Sequence, residues 1–237
     1  MVEPVFNWLN GLCAFLVVIG AITFAILNLR RYFKNRARSP LYMAVLSLAI
    51  ATGWTGISLS FLSFLFFGYT LPELASIISY FSYSTIPVGS FAVIIISWDL
   101  LFSPKYKKLG LSIFLGLYVI YYVFLVMTWN QTVVTYNVPG LIFDDWLSVT
   151  SVSFWMIWII VGLNSVLWVI GFNNFRKSSS GGIQKRSIYL LFATFFIGGA
   201  ILLDTVIFTG VFMDFVWISR VMMVPAVYLG YIGLSPI

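Results

Sequence analysis

The sequence predicts an all-α membrane protein: a bundle of seven transmembrane helices with its N-terminus outside and its C-terminus in the cytoplasm. Three observations carry that expectation. Of 237 residues, 61% are hydrophobic and only 8% are charged, against about 25% charged in an average soluble domain. Too few charges remain to cover a water-facing surface, a difficulty that lipid as the outer solvent removes. Seven apolar runs of helix-spanning length follow one another. Twelve of the 13 basic residues also fall in three short loops, each two spans from the next.

The first run, Phe6–Leu29, precedes Arg30, Arg31, Lys34, Arg36 and Arg38. It is too long for a signal-peptide core, carries Glu3 rather than a basic leader, and has no small-residue cleavage site after it, so it reads as a retained first span. The second run covers about 40–67 and ends in Gly68-Tyr69-Thr70-Leu71-Pro72. The third covers about 73–102 and stops at Pro104 with Lys105, Lys107 and Lys108. The fourth, about 109–129, leads into the longest loop, 130–146. The fifth, about 147–175, ends in Arg176 and Lys177, ahead of Lys185 and Arg186. Spans six and seven, about 187–211 and 215–234, turn at Met213-Asp214. Residues 1–237 thus read as one transmembrane domain.

Positive loop charge marks the cytoplasmic side, and the acids Glu3, Glu73, Asp144, Asp145 and Asp214 gather on the other. The +6 balance is therefore a topology signal, reinforced by anionic headgroups, and not the mark of a nucleic-acid partner. Trp8, Tyr69, Trp129, Trp146 and Trp217 fit an outer interfacial belt; Tyr32, Tyr42, Trp98, Tyr106 and Tyr189 fit an inner one. The expected setting is a multi-pass position in the cell membrane, with the lipid bilayer as the first partner and a homo-oligomer compatible with the pattern. Asn130-Gln131-Thr132 is a glycosylation sequon on an expected outer loop, a short pattern with many chance matches.

Chemistry is sparse. There is no histidine and one cysteine, Cys13, so no metal site, cofactor or nucleophile–base constellation is expected, and no enzyme. All six lysines lie in the basic loops, which leaves none inside the bundle for a retinal Schiff base.

Ionisable groups inside hydrocarbon cost roughly 2.5–3.5 kcal/mol each on insertion scales, so each needs a reason. Asp204 and Arg220 sit roughly 8–10 Å beneath the outer boundary of spans six and seven at 1.5 Å per residue, and a buried ion pair is expected between them. It reads either as a structural clamp or as one edge of a ligand site. Asp99, near the cytoplasmic end of span three, is expected to pair with Lys105 or a first-loop arginine.

Span three carries a polar stripe, Ser76, Ser79, Tyr80, Tyr83, Pro87, Ser90 and Ser97, within about 60° of one line at helical periodicity. Pro87 frees a carbonyl one turn earlier, near Tyr83, for a ligand, a water or a neighbouring hydroxyl. Ser79, Tyr83, Pro87 and Ser90, with Trp54, Trp155 and Trp158 as aromatic neighbours, are the expected pocket lining; ordinary interhelical packing explains the same stripe. The Ala49, Gly53, Gly56, Ser60 and Ser63 face of span two reads as close packing.

Arg38-Ser39-Pro40-Leu41-Tyr42 and Arg186-Ser187-Ile188-Tyr189 each open a span that carries small residues and precedes a helix with a central proline, Pro87 or Pro225. Spans one to three and five to seven thus suggest parallel repeats joined by span four, an arrangement that resembles microbial rhodopsins and the SWEET/PQ-loop transporters. Asn35-Arg36-Ala37-Arg38-Ser39-Pro40 and Thr85-Ile86-Pro87-Val88-Gly89 resemble the seven-helix sensor region of prokaryotic histidine kinases and related signalling proteins. That resemblance implies a receptor or sensor-like module that binds a small-molecule ligand and relays a signal to a separate cytoplasmic signalling protein. The alternative is a small-molecule transporter of the parallel-repeat type.

Overall fold

A computed structural model describes residues 4–101, 104–136, 142, 144–178, 180–207 and 215–233. Among them the chain forms eight helices and one short hairpin: α1 (Pro4–Asn35), α2 (Arg38–Phe67), α3 (Pro72–Leu101), α4 (Pro104–Met127), α5 (Trp129–Thr132), β1 (Val133–Tyr136), β2 (Asp144–Leu147), α6 (Val152–Ser178), α7 (Gly181–Ile207) and α8 (Val216–Gly233).

Helix ends follow local chemistry. Pro72 and Pro104 open α3 and α4, positions where the missing N–H is no loss; Pro104, expected as a stop, is thus the start of the next helix. Helix α1 runs beyond its apolar stretch because basic side chains complement a helix C-terminus, with Lys34 in the last turn. Gly68 ends α2 in the left-handed conformation (φ 73°), which glycine adopts without a Cβ clash. At the head of α6, the amide N–H of Phe154 donates to Ser151 Oγ at 3.2 Å, a side-chain cap.

Among the described residues, six helical stretches are long and apolar enough to cross a membrane: Asn7–Asn35, Arg38–Phe67, Ile77–Ile96, Lys107–Met127, Val152–Asn174 and Val216–Gly233. The chain is a polytopic all-helical membrane protein. The seventh expected span, in α7, is not among those six.

Six long helices close a ring: α1 packs on α2, α2 on α3, α3 on α6, α6 on α7, α7 on α8, and α8 returns to α1. Helix α4 stands outside it against α3 and α6, exposing Leu109, Ile113, Val119, Val123 and Val126 as a lipid-facing stripe. Apolar clusters knit the interfaces, among them Ile94, Trp98, Phe114, Tyr118 and Ile160 between α3, α4 and α6. Helices α2 and α3 approach closely, since a Cβ on Gly89 would lie 2.6 Å from that of Ala49. Their polar contacts are Ser82 Oγ donating to the Thr52 carbonyl and Thr52 meeting Thr85, each at 2.5 Å.

The expected 130–146 loop instead contains α5 and an antiparallel hairpin in which Val133 pairs with Leu147 and Thr135 with Asp145. The β-branched run Val133-Val134-Thr135 carries its propensity. The fifth helix accordingly begins at Val152 and not at 147. Asn7 fastens this hairpin to α1. Its Nδ2 donates to the Ile142 carbonyl at 3.2 Å, and its Oδ1 accepts the Ile142 N–H at 2.7 Å. Ile142 is buried against Ala14, Ile57 and Phe61. The start of α1 and the hairpin therefore share one end of the bundle, opposite the turn between α1 and α2.

Candidate functional site

A cavity of about 520 Å³ lies inside the ring, walled by α2, α3, α6, α7 and α8 and bordered by the hairpin. Among the described residues, helices α1 and α4 contribute no lining. Its size suits a small organic ligand, since such sites span roughly 300–1,000 Å³. Helix α6 supplies one wall from Phe154, Ile157, Trp158, Val161, Asn164 and Trp168, a three-and-four spacing that keeps one helix face inward.

Toward the basic end, Trp168, Val93 and Leu46 border the cavity. Behind them Phe172 and Leu190 complete a buried layer. The Trp168 indole N–H donates to the Val93 carbonyl at 3.2 Å, which fixes the ring across the α3–α6 interface. At the other end the border passes to Val134, Asp145, Leu147, Ser148 and Val149 of the hairpin and the segment after it.

Charge concentrates toward the hairpin end. Asp204 and Arg220 both line the cavity. Ser219 Oγ donates to Asp204 Oδ1 at 2.8 Å, and Arg220 Nη1 donates to the Asn10 carbonyl at 3.3 Å. Arg220 is 1% exposed, so the Asn10 carbonyl stands in for water at one nitrogen of a buried guanidinium. The arrangement ties α8 to α7 through Ser219 and to α1 through Arg220.

Of the expected lining, Trp54, Tyr83, Ser90 and Trp158 border the cavity. Ser79 is buried away from it. Pro87 does not border it, although its neighbours Ile86, Gly89 and Ser90 do. The carbonyl that Pro87 releases accepts the Tyr121 hydroxyl at 3.0 Å, and Tyr122 donates to the next carbonyl, that of Ser84. The neighbouring hydroxyls of α4 therefore occupy these acceptors. Trp155 requires a correction: at 59% exposed it faces outward from α6. Three residues separate it from Trp158, and the rotation of α6 puts only the latter inside. Gly53 also departs from expectation, because it borders the cavity and a Cβ there would meet nothing within 4 Å. The side chains of Asp99 and Lys105 lie outside the described residues, as do those of Ser76 and Ser97.

Reading ionisable groups first misses Asn164. It is 6% exposed, lines the cavity at mid-helix, and stands beside the Tyr118 hydroxyl of α4. Its signal was available: an amide in the centre of an apolar span. The indole N–H of Trp158 is buried with no acceptor among the described residues.

No protein-family model matches the chain, and no curated protein matches it. Fold and site thus define a class, an all-helical membrane protein with an internal, largely apolar cavity, and the chemistry of that cavity has to carry the functional reading.

Proposed function

We propose that this protein is a seven-span, receptor-like module that binds a small molecule inside its bundle and relays occupancy to a separate cytoplasmic partner. The N-terminus and hairpin face outward in this reading, and the three basic loops face the cytoplasm. Helix α7 is the seventh span. It is 27 residues long and packs between α6 and α8, and Lys185 and Arg186 in its first turns belong at the headgroups. Asp204 and Arg220 form a direct ion pair at the cavity edge.

The observation that carries the reading is the 520 Å³ cavity with the Trp168 layer across its basic end. A pocket bordered on one side by a hairpin and on the other by packed aromatics suits recognition from one face. Ligand that fits only one arrangement of α3, α6 and α7 shifts the bundle toward it, and the basic ends of those helices carry the change to the partner.

The transporter reading draws on the ring itself. If α1–α3 and α6–α8 are parallel repeats joined by α4, the contacts of α3 with α6 and of α8 with α1 stand at corresponding places in it. One preparation separates the two. In proteoliposomes, a receptor binds small molecules saturably with no time-dependent accumulation and retains a cytoplasmic partner on purification. Accumulation that requires the protein overturns the receptor reading.

A further inference from the structure

We infer that the cavity takes an organic cation, an amine whose charge lodges at the hairpin end beside Asp145 and Asp204 while its apolar body lies deeper in the bundle. The inference rests on the ligand-binding reading above and specifies the charge class of that ligand.

Charge in the cavity is lopsided. Among the described lining residues, Asp145 and Asp204 are set against Arg220, two negative groups against one positive. Their accessibility differs as well. Both aspartates are half-buried, whereas Arg220 is 1% exposed. The guanidinium is sunk between α8 and α1, with the Asn10 carbonyl against it, so the charge a visitor meets is carboxylate. Asp145 reaches the space by strand alternation: it and Leu147 stand two residues apart on β2, share one face, and both border the cavity. Asp204 sits in the last turn of α7, with the Ser219 hydroxyl donating to it at 2.8 Å.

The surrounding field has the same sign. Twelve of the 13 basic residues stand around the α1–α2, α3–α4 and α6–α7 connections, away from the hairpin, and Arg220 is the thirteenth. Glu73, by contrast, opens α3 at the hairpin end. A cation approaching that end is drawn in, and an anion is turned away.

The walls next to the carboxylates are aromatic. Phe154 and Trp158 occupy the first two turns of α6 with ring centres 6.2 Å apart, and Trp54 and Tyr83 line the space from α2 and α3. An ammonium in apolar surroundings is costly unless paired. Here carboxylates and ring faces, which attract cations within about 6 Å, replace the water it loses. Val93, Val161, Ile197 and Met223 suit the apolar body. A carboxylate ligand would instead bring a third negative charge into the same space.

The test titrates the full chain in phosphatidylcholine nanodiscs by calorimetry, with the heat from empty nanodiscs subtracted. The probes are phenethylamine, cationic at neutral pH, phenethyl alcohol and hydrocinnamate, one phenyl body carrying three different charges. The amine should bind saturably and about tenfold more tightly than the alcohol, the margin between a charged and a neutral hydrogen bond. Hydrocinnamate should bind more weakly than the alcohol. Asp145→Asn keeps the side-chain shape and should lower amine affinity about tenfold while leaving the alcohol unchanged. Asp204→Asn should weaken the amine likewise and strengthen hydrocinnamate; it is the second variant if Asp145→Asn fails to fold. Alcohol or hydrocinnamate binding wild type as tightly as the amine overturns the cation assignment and leaves the ligand cavity standing. An amine preference unchanged in both folded variants also overturns it, because these carboxylates then do not hold the charge. No saturable binding of any probe up to millimolar concentration overturns both readings.

Discussion

The Asn7 side chain ties the hairpin to α1, and Asn7→Ala loosens it. Asn7 is 4% exposed and makes both of its hydrogen bonds to Ile142, itself 1% exposed. Each neutral bond contributes about 0.5–1.5 kcal/mol, and a buried backbone group left without a partner costs about 1–3 kcal/mol. The clamp should therefore weaken by roughly 2–4 kcal/mol, a rise of about 30-fold or more in the opening equilibrium of the segment. Hydrogen exchange of peptides covering residues 133–147, followed by mass spectrometry in nanodiscs, reads that equilibrium directly. Exchange should accelerate there while α6 and α8 stay protected. Asn7→Asp keeps the acceptor for the Ile142 N–H and should fall between wild type and alanine. Unchanged hairpin exchange in a folded Asn7→Ala protein would refute the clamp.

Gly110→Ala places a Cβ 1.7 Å from Trp98 Cη2, so the buried indole must leave its cluster. Thermal unfolding should show a loss on the scale of a core tryptophan deletion, about 3–5 kcal/mol, whereas Gly116→Ala, which meets nothing within 4 Å, should be near neutral. Tyr121→Phe removes the donor to the Tyr83 carbonyl and should cost about 0.6–1.7 kcal/mol, the range for hydrogen bonds inside membranes. The same change in a Pro87→Ala background should cost less, because the helix then reclaims that carbonyl. For Asp204 and Arg220, each single reversal should destabilise strongly and the Asp204→Arg, Arg220→Asp exchange should recover part of the loss. No recovery would mean that the two charges do not pair directly.

How much of this was legible in the sequence depends on which solvent each residue meets. Basic residues avoid crossing the membrane, so the loops after α1, α3 and α6 could be read from charge alone. Helix ends were off where a proline opens the next helix, as Pro104 does, or where a basic tail prolongs one, as in α1. The hairpin escaped notice because Val133-Val134-Thr135-Tyr136 is short and sits in a stretch too polar to span. The inward face of α6 was hidden for another reason. In water an apolar stripe marks the interior, but lipid accepts apolar side chains on the outside too, so periodicity separates Trp158 from Trp155 poorly. Tyr83 and Ser90 were legible because polar groups in a span shun lipid, and the same argument applied to neutral amides would have found Asn164.

In the proposed function the cavity communicates with the hairpin side, which is the outer side in that reading. Gly53 borders it with open space around its missing Cβ, so a cysteine fits there. In a Cys13→Ala background, Gly53→Cys in intact cells should react with a membrane-impermeant methanethiosulfonate, and faster when Asn7→Ala loosens the hairpin. Lys185→Cys, at the basic end, should react only after permeabilisation. Reaction of the Gly53 site only from the cytoplasmic side, or none even in the loosened variant, would contradict the account.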